Sequence, residues 1–196
     1  MRKPKLSFKE LEKLEWEIIV RDKNGKIIAR KKGKGDSYLK NHMVLIFGLY
    51  GAGGENGVRT DGSSTAIMKS DLANADVGAG EGETGYGIVF GTGSDPNSPG
   101  MYNLQSPISH GDGDNLLHYY GVSVGNIVVE GNTVYFEISR DAKNNGSVDI
   151  TIYEAGLIVK LGTIGNFLVG RQVISGGITV PAGATLTFKF RPKITV

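Results

Sequence analysis

The 196-residue chain has no cysteine, which excludes disulfide staples, a thiol nucleophile and any zinc site built on thiolates. The redox compartment stays open, because a thiol-free chain suits reducing and oxidising surroundings alike. Only three histidines are present, His42, His110 and His118, little material for a histidine-rich metal centre. Long apolar runs are missing as well. The best, Met43 to Tyr50, is eight residues, against the roughly 18 that a membrane-spanning helix needs. The opening MRKPKLSFKELEKLEW has neither an apolar core nor a small-residue cleavage site, which is not the pattern of a secretory signal. These absences predict a soluble protein with no membrane span, not exported by such a signal.

Glycine is abundant, at 30 residues, with only six prolines and no triplet period, so a collagen-like chain is excluded. A hydrophobic fraction of 39% is enough for one sizeable core. The net charge of +2 hides an asymmetry. Residues 1–40 hold thirteen Lys/Arg against six Asp/Glu, and the remainder nine against fourteen. We therefore divide the chain into a basic N-terminal arm, residues 1–35, and a domain over residues 36–196.

In the arm, Ser7 and Glu10 have capping-box spacing, and Phe8, Leu11 and Leu14 recur at helical spacing, predicting a short helix over 8–15. Trp16 to Val20, a Lys23-Asn24-Gly25 turn and Lys26 to Lys31 read as a β-hairpin. The basic run Arg30, Lys31, Lys32 and Lys34 could neutralise phosphates. However, Glu10, Glu12, Glu15 and Glu17 dilute it and no aromatics interleave it. We read it as a charged surface meeting neighbouring subunits rather than nucleic acid.

Leu39, Met43, Ile46, Phe47 and Tyr50 fall on one face of a helix over about 37–49, which a sheet should cover. Sixteen of the thirty glycines lie in 48–113, and residues 51–85 read as an extended glycine-rich loop; Ser70 to Gly85 has neither helical nor strand period. From Leu116 onward the period is two. Val122 and Val124, then Val134, Phe136 and Ile138, then Val148, Ile150 and Ile152, and finally Leu186, Phe188 and Phe190 form inward rows, separated by turns such as Asn144-Asn145-Gly146. The expected fold is mainly β, an antiparallel sandwich, jelly-roll-like. The final strand, reaching Val196, could pair inside the fold or with a neighbouring subunit.

Chemistry-bearing motifs are few. His110-Gly111-Asp112-Gly113-Asp114 places Asp112 and Asp114 at alternating positions, as calcium loops do, but the residues completing such a loop are missing. We read it, like Glu81 and Glu83, as a polar turn, with calcium the alternative. Gly91-Thr92-Gly93 lacks the Lys-Ser/Thr of a phosphate loop, and Gly-x-Ser-x-Gly does not occur. His118, beside Tyr119 and Tyr120, reads as packed. We expect no enzyme and no cofactor. Glu154 and Arg171 are charges inside otherwise apolar strand patterns, and a cross-strand pair between them would fix register.

The order of pieces in the second half resembles β-sandwich virion structural proteins of tailed phages and archaeal viruses. The residues that carry this are Val89-Phe90-Gly91-Thr92-Gly93, Leu104-Gln105-Ser106-Pro107-Ile108, Tyr153-Glu154-Ala155-Gly156-Leu157, Leu168-Val169-Gly170-Arg171 and Pro181-Ala182-Gly183-Ala184-Thr185-Leu186. Asp22-Lys23-Asn24-Gly25 and Asp36-Ser37-Tyr38-Leu39 are similar to the strand–turn–helix entry of such proteins. The resemblance implies a subunit that self-assembles into a capsid, decoration or tail component, or a virus-like filament, in the virion after assembly in the host cytoplasm. Its partners would be copies of itself, in a helical or icosahedral homo-oligomer, and other virion proteins. In this reading the N-terminal arm and the glycine-rich loop contact neighbouring copies. The alternatives are a glycan- or receptor-binding module using exposed tyrosines (Tyr50, Tyr86, Tyr102, Tyr119 and Tyr120), and a subunit of a non-viral extracellular filament.

Overall fold

Alternation at the first strand sets the architecture. Leu14, Ile18 and Val20 are buried while Glu15 and Glu17, between them, face outward, so one side of β1 (Glu12–Arg21) must be covered and the other can meet water. The computed structural model describes residues 12–34, 37–49 and 54–195. Asp22 closes the first hairpin by accepting the amides of Asn24 and Lys26 at 2.9 and 3.0 Å, with Gly25 at φ +80°. Strand β2 (Ile27–Lys34) follows.

Two antiparallel sheets form a sandwich. In the seven-stranded sheet the order is β2, β1, β14 (Thr185–Thr195), β10 (Thr133–Tyr135) and β9 (Val128–Glu130). The first half of β14 also pairs with β11 (Ile138–Lys143), which pairs with β8 (His118–Val124). The five-stranded sheet runs β3 (Ser37–Tyr38), β13 (Gly165–Val180), β12 (Ile150–Leu161) and β6 (Ala75–Asp76), with β7 (Gly87–Gly91) also on β12. A separate hairpin joins β4 (Asn56–Val58) to β5 (Ser64–Ala66). This order establishes an antiparallel sandwich and does not by itself establish jelly-roll winding.

The core lies between the sheets, where Ile18, Ile138, Leu186, Phe188 and Phe190 meet Phe90, Ile152, Leu157, Phe167 and Ile174. Trp16 stacks on Phe188 at 6.1 Å, and Phe188 meets Phe190 edge-on at 4.8 Å. A smaller cluster of Leu39, Val89, Leu104, Ile158 and Leu168 covers the far side of the second sheet. That explains why β12 and β13 are buried on both faces and read as near-continuous apolar runs.

Several expectations need correcting. Glu12 to Glu15 of the anticipated N-terminal helix belong to β1, because ladder pairing with β14 outweighs the helical spacing of Leu11 and Leu14; its earlier residues lie outside the described ones. The β1–β2 hairpin is not an appended arm, since β1 is sandwiched between β2 and β14. Helix α1 (Lys40–Leu49) buries Asn41, Val44, Leu45 and Gly48, leaving Met43, Phe47 and Leu49 about half exposed. Its anchor is polar: Asn41 donates to Val58 O and Leu168 O and accepts from the Val58 amide. The unpatterned stretch after Ser70 holds a 3-10 helix, Lys69–Asn74, and β6. Val134 and Val148, expected to be covered, are exposed. The C-terminal strand is central, with β1 on one flank and β10 and β11 on the other. Among the described residues no helix is long and apolar enough to cross a membrane.

Candidate assembly surfaces

The outward face of the seven-stranded sheet carries charge in columns. Cross-strand register places Arg30 beside Ile19, Lys32 beside Glu17 and Lys34 beside Glu15. It then places Thr187, Lys189 and Arg191 of β14 beside those same β1 residues. On β11, Asp141 and Ser139 lie against Thr187 and Lys189. The columns are joined by ion pairs: Glu17 to Arg30 at 2.6 Å, Glu15 to Lys193 at 2.5 Å, Glu137 to Lys189 at 3.1 Å, and Glu137 to Arg191. Arg191, with Lys189 beside it, holds the Glu137 carboxyl below its ordinary value; Arg191 is raised in turn and lies 4.8 Å over the Tyr135 ring. A depression of about 440 Å³ opens on this face.

Thus three of the four basic residues singled out from the sequence, Arg30, Lys32 and Lys34, project from this face. Lys31 points the other way. Its ammonium group reaches the carbonyls of Ser175, at 2.9 Å, and Gly177. These carbonyls are freed by an irregularity in β13, where Gly176 and Gly177 take φ values of +68° and +59° and the register with β12 shifts. An inward charge on an edge strand also discourages edge-to-edge pairing.

A second surface is apolar. Val129, Val134 and Ile194 lie opposite one another on β9, β10 and β14. They are 68%, 40% and 49% exposed. Ile194 has the parity of Phe188 and Phe190, so this row continues the core-facing side of the sheet beyond its cover.

Behind these surfaces the glycine-rich segment is strapped to the body. Arg140, fully buried, donates from Nε to Tyr120 O (2.7 Å), from Nη1 to Ile88 O (2.9 Å), and from Nη2 to Gly80 O (3.1 Å) and Glu83 O (2.6 Å). Its guanidinium lies 4.8 Å over Tyr119. Burial pushes the Arg140 pKa down. Arg140 was missed in the sequence; the available signal was its place between Ile138 and Ala142, at the inward parity of β11. Thr60 and Gly82 add amide bonds to Asn166 O and Tyr119 O, and Val122 donates to Ala79 O. Over residues 54–85 the loop expected to reach over neighbouring copies is bonded to the body of its own chain.

Glu154 and Arg171 meet, Oε2 to Nε at 2.7 Å, with both side chains fully buried. They do more than join strands. Glu154 accepts the amides of Gly93 (3.1 Å), Gln105 (3.1 Å) and Ser106 (2.8 Å), while Arg171 Nη1 donates to Asp95 O (2.9 Å) and Asn97 Oδ1 (2.7 Å). Together they fold the 92–106 segment onto the second sheet.

The sequence pair Asp112 and Asp114 diverges. Asp112 accepts from Asn145 at 2.7 Å and faces His118 Nδ1 at 2.9 Å, while Asp114 accepts the amide and hydroxyl of Ser147 at 2.7 and 3.0 Å. Both carboxyls sit below their ordinary value, chiefly through Asn145 and Ser147 respectively. Among the described residues no three His, Asp or Glu side chains converge as a metal site. His118 instead bridges Asp112 and Glu81, whose Oε1 is 2.8 Å from Nε2. Glu81 foremost, and Asp112, raise its pKa. His110 lies 5.0 Å away and accepts the Tyr119 amide at Nδ1. Of the tyrosines, Tyr119 is in the core with its pKa far above normal through burial and Tyr86 lies under Lys160, while Tyr102 and Tyr120 are exposed. Tyr50 is outside the described residues.

No family model matches this chain, and the comparisons with curated proteins and with solved structures found no match.

Proposed function

We propose that this protein is a self-assembling structural subunit of a viral particle or virus-like filament, with copies of itself as principal partners and the virion as its location. The observation supporting this is the outward face of the seven-stranded sheet, where acidic and basic columns alternate across four strands. Such a face suits contact between rigid bodies better than binding of a small molecule, which is favoured by concave, mostly apolar sites. The buried ionic straps support the same reading. They hold long glycine-rich segments in one shape, so association would order few residues. The resemblance to virion sandwich proteins supports a viral setting for the assembly.

The test is electron microscopy of the purified full chain at high concentration, together with sedimentation velocity. Ordered particles, sheets or tubes are expected. A strict monomer at every concentration and salt, with no ordered object in the micrographs, removes the reading. Nucleic acid packaged in native particles separates a capsid role from a non-viral extracellular filament, and glycan binding by a monomer points to the recognition alternative.

A further inference from the structure

The charge columns on the exposed sheet have a symmetry that bears on how copies meet. From one edge inward, β2 presents Arg30, Lys32 and Lys34, and β1 presents Glu15 and Glu17. Next, β14 presents Lys189 and Arg191, and the β11 side presents Glu137 and Asp141. Basic, acidic, basic, acidic is antisymmetric about the line between β1 and β14. A two-fold axis along that line lays β2 of one copy over the β11 side of the other, and β1 over β14. Every basic column then faces an acidic one.

The match holds row by row, because such an axis preserves position along the strands. In the row of Ile19 and Thr187, Arg30 meets the other copy's Asp141. One row on, Glu17 meets Lys189. In the next row Glu15 meets Arg191, and Lys34 meets Glu137; one row further the register sets Lys13 opposite Lys193, which is where the charge match ends. At the opposite end Arg21 and Lys143 both flank the uncharged Thr185, so no like charges oppose there. Lys32, Lys34 and Asp141 have no ion-pair partner of their own among the described residues, and Arg30 keeps its side chain 55% exposed. Face-to-face contact, rather than strand addition at β2, is what the inward Lys31 and the lysine-rich edge permit.

We infer that the outward face of the seven-stranded sheet is a two-fold interface with a second copy of this chain, held by matched charge columns. The inference rests on the assembly reading above and identifies one of its contact surfaces. Because the charges lie at a solvent-accessible face, the contact weakens as salt shortens the reach of their fields.

The test is a charge exchange on the full chain, read by sedimentation at about 20 mM and about 500 mM salt. Wild type is expected to associate at low salt and dissociate at high salt. Arg30→Glu with Lys32→Glu makes β2 acidic in the rows that face Asp141 and Ser139, and Asp141→Lys with Ser139→Lys makes the β11 side basic in those same rows. Each double variant alone should associate about tenfold or more weakly. An equimolar mixture should recover association, since each acidic β2 then faces a basic β11 side. The neutral pair Arg30→Gln with Lys32→Gln, which carries no new charge into the fold, should fall between wild type and the acidic variant. Association or particles that persist unchanged in both charge-reversed variants, or a mixture no better than its components, overturns this interface while leaving the assembly reading intact. Wild type that stays monomeric under all conditions overturns both.

Discussion

Replacing Arg140 with methionine keeps an unbranched apolar stem and removes a guanidinium that serves four backbone carbonyls on three segments. Gly80 and Glu83 belong to the glycine-rich segment, Ile88 to β7 and Tyr120 to β8, so the change separates elements distant in the chain. A hydrogen bond to a charged group is worth about 1.5–3 kcal/mol, and a buried acceptor left unpaired costs about 1–3 kcal/mol. The four bonds share one group and do not add. Water entering as the 80–83 segment lifts will satisfy some of the carbonyls. We therefore expect a loss of about 3–5 kcal/mol, comparable to breaking a buried ionic contact, in a domain whose whole stability is of the order of 5–15 kcal/mol. Arg140→Lys should recover only part of it, because an ammonium cannot span carbonyls arranged around a planar fork. Urea unfolding gives the total, and hydrogen exchange locates it: the Gly82 and Val122 amides, bonded to Tyr119 O and Ala79 O, should lose protection before the β12–β13 ladder does. Unchanged protection at these amides in a destabilised Arg140→Met protein would refute the strap.

Three further outcomes follow from the same contacts. Glu154→Gln turns an amide NH2 toward amides that now donate to a carboxylate, and should cost about 3 kcal/mol or more in urea unfolding; Glu154→Gln combined with Arg171→Met should cost less than the sum of the two single changes. Gly177→Ala adds a Cβ at φ +59°, 2.6 Å from Thr151 Cγ2 and 2.8 Å from Tyr153, and should cost about 1–3 kcal/mol, seen as a lower Tm. His118 should titrate above its ordinary 6.5 in an NMR pH series, and Glu81→Gln should bring the value down. Because its folded pKa is raised, its contribution is complete below 6.5 and disappears as pH rises through the folded value, so protection of the Gly82 amide, relative to the intrinsic exchange rate at each pH, should fall above that point; a His118 titrating at or below 6.5 contradicts the bridge.

Much of the fold is legible in the sequence, because burial of one sheet face forces a period of two. The β1–β2 hairpin could be placed from Asn24-Gly25 and the alternation around Ile18, and β14 from Leu186, Phe188 and Phe190. The helix was found but its buried face was not. Hydrophobic spacing singles out Met43 and Phe47, whereas the helix is seated by Asn41, whose amide satisfies backbone groups of β4 and β13. No apolar pattern reports such a contact. The same holds for Arg140 and for Lys31, whose partners are main-chain carbonyls contributed by segments far away in the chain. Glu154 and Arg171 could be paired because both interrupt apolar rows, but the three amides that Glu154 accepts come from a loop with no periodicity to read. The charge columns are likewise absent from the linear sequence, since β2, β1, β14 and β11 become neighbours only after the C-terminal strand takes the centre of the sheet.

That central place of β14 links the fold physically to the proposed assembly. Had the last strand lain at an edge, its outward lysines and arginine would guard that edge against pairing, as Lys31, Lys32 and Lys34 guard β2. In the centre, Lys189 and Arg191 instead separate the acidic column of β1 from Glu137 and Asp141 of the β11 side. Their ion pairs with Glu137 carry the sheet's cross-strand order, although each exposed pair is worth only about 0–1 kcal/mol within the subunit. Burial of the same pairs between two stacked sheets would replace water around many charges at once, so their worth depends on geometry far more than on number. A rigid, strapped sandwich is what keeps that geometry fixed. Lysines and glutamates on a pliable surface would settle into local pairs and show no preference for a neighbour, whereas columns held in register by β14 present one repeated pattern to every copy.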